Sequence, residues 1–194
     1  MIKKLLCLLL VLCISHTALP AAAAITPLNV AVLPVINTAH YRYAEDIEVI
    51  QNTIKKPFKY PYYTLIPSAV VEKAYKEFLV QNKGVRLSDE KAMAELANTL
   101  SADIVVAVEL SKFRMDRITS FWLDDDTYVE SDIVLKCYAY SALSKKYDVI
   151  KAVKSEREYE SINTNADVVF KDLTEEILVK LPYKRIPTNV TNNF

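Results

Sequence analysis

The 194-residue chain sets 24 lysines and arginines against 24 aspartates and glutamates, is 52% hydrophobic, and contains one glycine and three cysteines. Its basic residues are scattered among acids, so no nucleic-acid partner is expected, since that takes clustered positive charge. With one glycine, neither a Gly-x-Gly-x-x-Gly dinucleotide turn nor a Walker phosphate loop can be written.

The amino terminus reads as an export signal. Lys3 and Lys4 precede the apolar run Leu5 to Ile14, and Ala21 to Ala24 supplies an Ala-x-Ala end. The run is too short for a stable membrane span, which takes about 20 apolar residues. Residues 1–24 are therefore expected to be a signal peptide, 25–184 a single α/β domain and 185–194 a flexible tail, placing the protein in the periplasm or outside the cell. A lipoprotein signal would use Cys13, but the preceding Leu12 is larger than the small residue such sites carry, and a lipid anchor there is not expected. Losing Lys3 and Lys4 leaves 22 basic against 24 acidic residues, a net charge of minus two. Cys7 and Cys13 fall in the signal, so Cys137 has no internal disulfide partner. It alternates with Ile133, Leu135 and Ala139, the pattern of a buried small apolar residue.

In chain order, Leu28 to Ile36 reads as a first strand ended by Pro34, and Ala44 to about Lys55 as a helix with Ile47, Ile50 and Ile54 on one stripe. Tyr62 to Ile66 is a short strand. A helix follows to Leu79, with Ser68 as its expected N-cap and Val71, Ala74 and Phe78 inward. Gly84 lies in a loop. The next helix is expected to be capped by Ser88 and to bury Met93, Leu96, Ala97 and Leu100. Ile104 to Val108 is a β-branched run of the kind covered on both faces, and the strand turns polar on alternate residues toward Arg117. Arg117 is expected to pair with Glu130 or Asp132.

After a connection over Thr119 to Asp126, Tyr128 to about Leu143 reads as a long strand, with Asp132, Lys136, Tyr138 and Tyr140 opposite its apolar face. Lys145 to Asp148 reads as a turn, and Val149 to Tyr159 as a last strand whose charged stretch, Lys154 to Glu158, suits an exposed edge. A final helix, with Thr164 as cap, buries Val169, Leu173, Ile177 and Leu181 before Pro182. This order predicts a mixed five-stranded sheet: three parallel strands joined by helical crossovers, then an antiparallel meander, with about four helices packed on it.

Chemistry is sparse. His40 is the one histidine beyond the signal, no Gly-x-Ser-x-Gly occurs, and Asp124 to Asp126 lack the spacing of a calcium loop. No metal, cofactor or catalytic residue is expected. Glu109, inside an apolar strand, needs a partner such as Lys112, Arg114 or a tyrosine. Tyrosine is abundant, with twelve in the chain, and suits a half-wet contact surface. Phe121, Trp122 and Leu123, bracketed by Ser120 and the acids, form with Tyr128 the candidate binding residues. Leaving a Trp or Phe in water forfeits roughly 1.5–3 kcal/mol of burial, a reason to expect a cover.

Asn29 to Asn37, Tyr63 to Phe78 and above all Ala94-Glu-Leu-Ala-Asn-Thr-Leu-Ser-Ala-Asp-Ile-Val-Val-Ala-Val-Glu-Leu110 resemble a superfamily of bacterial envelope domains. It includes the periplasmic domain of the curli secretion channel lipoprotein, the lipoprotein activators of penicillin-binding proteins and the amino-terminal domain of the Tol translocation protein. The resemblance implies an α/β domain serving assembly and protein contact rather than catalysis. The expected function is a non-enzymatic envelope module that binds an envelope protein partner or a second copy of itself. The alternative is a small-ligand-binding protein or hydrolase with a pocket near His40 and the tyrosines of Tyr60 to Tyr63.

Overall fold

The computed structural model describes residues 26–119 and 127–183. The described chain runs β1 (Leu28–Val32), β2 (Ile36–Asn37), α1 (Ala44–Lys55), β3 (Tyr63–Leu65), α2 (Ser68–Gln81), α3 (Glu90–Leu100), β4 (Ile104–Thr119), β5 (Thr127–Ser141), β6 (Lys146–Tyr159), a 3-10 turn (Ile162–Thr164) and α4 (Ala166–Lys180). The sheet order is β3-β1-β4-β5-β6, with β2 added beside β4. β1 lies parallel to β3 and β4, and β4, β5 and β6 form an antiparallel meander. The expected mixed α/β architecture is present with six strands rather than five. The sixth arises because the first strand does not run through to Ile36. Pro34 lacks the N–H a ladder needs, the backbone leaves β1 after Val32, and Ile36–Asn37 rejoins the sheet opposite Glu109 and Leu110.

The first half of β4 is buried on both faces. Ile104, Val106, Val108 and Leu110 point into a core shared with Ile50 and Ile54 of α1 and Phe170, Leu173 and Ile177 of α4. Val105 and Ala107 point the other way, against Val71 and Phe78 of α2 and Met93 and Leu96 of α3. This double cover explains the unbroken β-branched run. Cys137 is fully buried in the first core, where burial pushes its thiol up to about 12.

Local chemistry differs from expectation at several ends. The N-cap of α2 is Pro67 and no side chain caps it, while the Ser68 hydroxyl accepts from Lys55 Nζ at 3.2 Å. Asp89 rather than Ser88 caps α3, accepting from the Lys91 N–H at 3.0 Å. Thr164 does not cap α4; it is buried in the 3-10 turn, where its Oγ1 accepts from the Ser161 N–H at 3.0 Å. The last hairpin turns at 142–145 with Lys145 at φ 52°, so β6 begins at Lys146, earlier than the Lys145 to Asp148 turn expected. Gly84 adopts φ 87°, as its loop requires.

Candidate functional site

A β-bulge decides which face of the meander is dry. Between Leu110 and Lys112 the β4–β5 register shifts by one residue, Ser111, whose hydroxyl donates to the Val134 carbonyl at 3.3 Å. Side chains alternate across a strand, so one extra residue exchanges the faces of everything beyond it. Even-numbered Val106, Val108 and Leu110 therefore share a face with odd-numbered Phe113 and Met115. Phe113 packs on Tyr41 at a ring separation of 4.3 Å and on Phe170 at 5.7 Å. Farther out, Val129 and Ser131 are buried on this face. The chain leaving β6 is tied back to the meander, with the Glu160 N–H on the Thr127 carbonyl at 2.8 Å and Arg117 paired to Glu160 at 2.6 Å. Arg117 thus pairs with neither Glu130 nor Asp132, because the bulge turns it toward the covered face.

The opposite face is open beyond the end of the α2–α3 layer. Register places five rows across β4, β5 and β6: Glu109, Lys136 and Lys151; Lys112, Val134 and Val153; Arg114, Asp132 and Ser155; Asp116, Glu130 and Arg157; Ile118, Tyr128 and Tyr159. Lys112 pairs with Asp132, Arg114 with Asp116 at 2.6 Å, and Arg157 with Glu130 at 3.1 Å. Such exposed pairs contribute about 0–1 kcal/mol each, so they make the surface wettable without explaining why it is built. Between them stand apolar groups: Val153 is 43% exposed, Tyr159 62% and Ile118 39%. Tyr128 stacks on Tyr159 at 4.6 Å. Of the sequence-predicted binding residues, Tyr128 therefore lies on this open face, in its outermost row. Phe121, Trp122 and Leu123 lie outside the described residues.

At the root of the open face is a groove of about 540 Å³, walled by Tyr75, Leu79, Val85 and Leu87 on the helix side and floored by Glu109, Lys136 and Tyr138. Glu109 finds its expected tyrosine. Tyr138 donates to Oε2 at 2.5 Å, and Thr38, carried by the turn after β2, donates to Oε1 at 2.8 Å. Burial first, and then the Glu109 hydrogen bond, raise the pKa of the Tyr138 hydroxyl above its ordinary value. Sequence reading singled out Glu109 and the tyrosine class but missed Thr38, since only the pairing of β2 with β4 brings it there.

The alternative site does not assemble. His40 is exposed in a left-handed turn at φ 56° after β2, beside the level of Leu110, whose carbonyl accepts from the Ala39 N–H. Tyr63 pairs with Leu28 at the opposite end of the parallel strands. The two levels lie about eight residue steps apart along the parallel strands, roughly 26 Å at about 3.3 Å per residue. Tyr60 is exposed, and Tyr63 is buried against Phe58. Among the described residues no cluster of three His, Cys, Asp or Glu could hold a metal ion, and no helix is long and apolar enough to cross a membrane.

No family model and no curated protein matches the chain. Solved structures do. A lipoprotein, GNA1162 from Neisseria meningitidis, aligns over 79% of this chain and 97% of its own at 17% identity and TM-score 0.46. The LpoB C-terminal domain from Escherichia coli aligns over 75% and 93% at 14% identity and TM-score 0.39. The PelC dodecamer from Paraburkholderia phytofirmans aligns over 82% and 91% at 11% identity and TM-score 0.42. Each of these three is covered over nine-tenths or more of its own length, at an identity of 17% or less.

Proposed function

We propose that the chain is an exported envelope domain that binds another protein, without catalysis, through the open face of β4, β5 and β6. One observation carries the reading: a three-stranded surface packed on one side through Val129, Ser131 and Ile133 and open on the other, with Val153, Ile118 and Tyr159 left in water among paired charges. Burying such apolar groups in a partner recovers about 25 cal/mol per Å², and aromatic anchors ringed by polar groups are the usual makeup of a contact centre. Phe121, Trp122 and Leu123 belong to the same proposal, because β4 and β5 stay paired to Thr119 and Thr127, the residues that bracket them.

Capture from the native envelope tests this with paired variants. Val153→Glu on the open face, and Trp122→Ala, are expected to lose the captured partner with melting unchanged. Val179→Glu, at a still more exposed valine on the outer side of α4, is expected to keep it. Equal capture by all three variants would refute the assignment.

A further inference from the structure

The cations of the open face divide into two groups. Lys112, Arg114 and Arg157 each have an acid within ion-pair distance. Arg86 and Lys136, which line the groove, and Lys151, next to Lys136 in register, have no ion pair among the described residues. The one carboxylate lining the groove, Glu109, has both oxygens engaged by the hydroxyls of Thr38 and Tyr138. It is anchored in the floor, so two lining cations, Arg86 and Lys136, with Lys151 beside them in register, stand against one anion. Asp89 and Glu90 lie nearby at the head of α3, but Asp89 caps that helix and both bear on Tyr147, whose hydroxyl is pushed up to about 12 mainly by burial. The remaining walls, Ile36, Tyr75, Leu79, Val85 and Leu87, are largely apolar. A volume of about 540 Å³ lies within the range of clefts that hold ligands.

We infer that this groove receives a segment of the partner protein in which acidic residues alternate with apolar ones, the acids meeting Arg86, Lys136 and Lys151 and the apolar side chains lying against Leu79, Val85 and Leu87. The inference rests on the open face being a protein contact surface and names the part of the partner that the groove selects. Unpaired cations beside an apolar wall attract such a segment over long range and then hold it by desolvated contact. A purely inorganic anion would leave the apolar wall unused, and a basic segment would be repelled.

The test uses the folded protein and three blocked synthetic pentapeptides: acetyl-Leu-Glu-Phe-Asp-Leu-amide, the same peptide with Gln and Asn for its acids, and the same with two lysines. Amide correlation spectra locate binding, and the fluorescently tagged peptides give affinities. The acidic peptide is expected to shift the amides around Arg86, Lys136 and Glu109. It should bind about tenfold more tightly than the neutral one, weaken as salt rises, and lose about tenfold in Lys136→Glu and in the milder Arg86→Gln. Equal binding of all three peptides, shifts located elsewhere, unchanged affinity in both variants, or displacement by inorganic phosphate at matched ionic strength would overturn it. The two readings fail separately. Loss of capture in Val153→Glu without groove binding of the acidic peptide sinks this inference alone, whereas intact capture in Val153→Glu removes the contact reading on which it rests.

Discussion

The Tyr138 hydroxyl reaches Glu109 Oε2 at 2.5 Å although the two are not register partners; Tyr138 lies opposite Ala107 and Glu109 opposite Lys136. The bond is diagonal across the ladder, within reach of a long side chain, and it fixes the carboxylate where the covered and open parts of one sheet face meet. Tyr138→Phe removes one of the two donors to that carboxylate and is expected to cost about 1–2 kcal/mol, since hydrogen bonds to charged groups are among the stronger ones. In a double-mutant cycle with Glu109→Gln the double variant should lose less than the sum of the two single losses, as denaturant unfolding would show. Strict additivity would mean that the bond contributes nothing.

Alkaline pH should destabilise the protein in a defined window. Burial raises the Cys137 thiol from 9.0 to about 12, so above pH 9 the unfolded chain gives up a proton that the folded one keeps. Stability from this group is therefore complete below pH 9 and falls as pH rises toward about 12. Tyr147, raised from 10.0 to about 12, acts in the same direction. Cys137→Ala should make the decline of unfolding free energy between these limits shallower, and native Cys137 should resist iodoacetamide until the protein is denatured. An unchanged slope in the variant would contradict the burial argument.

The bulge makes neighbouring positions on one ladder energetically unlike. Leu135→Ala, on the covered face, should cost about 2–5 kcal/mol through cavity formation. Val153→Ala, on the open face, should stay within about 0.5 kcal/mol. Chemical denaturation of the two variants compares them directly, and similar losses would mean that the open face is packed.

Lys145 sits at φ 52° in the β5–β6 turn. A β-branched side chain is poorly tolerated there, so Lys145→Val should lower stability by about 1–2 kcal/mol while Lys145→Gly should not lower it. Thermal melting distinguishes them.

Much of the fold was legible because its signals are local. The run Ile104 to Val108 announces a strand covered on both sides, and the isoleucine and leucine stripes of α1 and α4 mark the faces that lie on it. What sequence reading missed depends on partners distant in the chain. Two residues, Ile36 and Asn37, form a strand only because β4 is beside them. Thr38 reaches Glu109 for the same reason. The bulge at Ser111 left a trace in the change from even to odd apolar positions between Leu110 and Phe113, which a reading keyed to one alternation phase passes over. Asp89 displaced Ser88 as cap because both residue types suit the position and one register step separates them. Of the candidate binding residues, Tyr128 was read only as the start of the long strand, and its face follows from pairing with Ile118 and Tyr159, partners remote in the chain.

The central claim, that the open face of β4, β5 and β6 meets a partner, is tested most directly by photocrosslinking in the native host. A benzoylphenylalanine is placed at Val153 or Tyr159 on that face and at Val179 on the outer side of α4, and the adducts are identified by mass spectrometry. Adducts to another protein, or to a second copy of this chain, from positions 153 and 159 and none from 179 are the predicted result; adducts from 179 alone, or from no position, would contradict it.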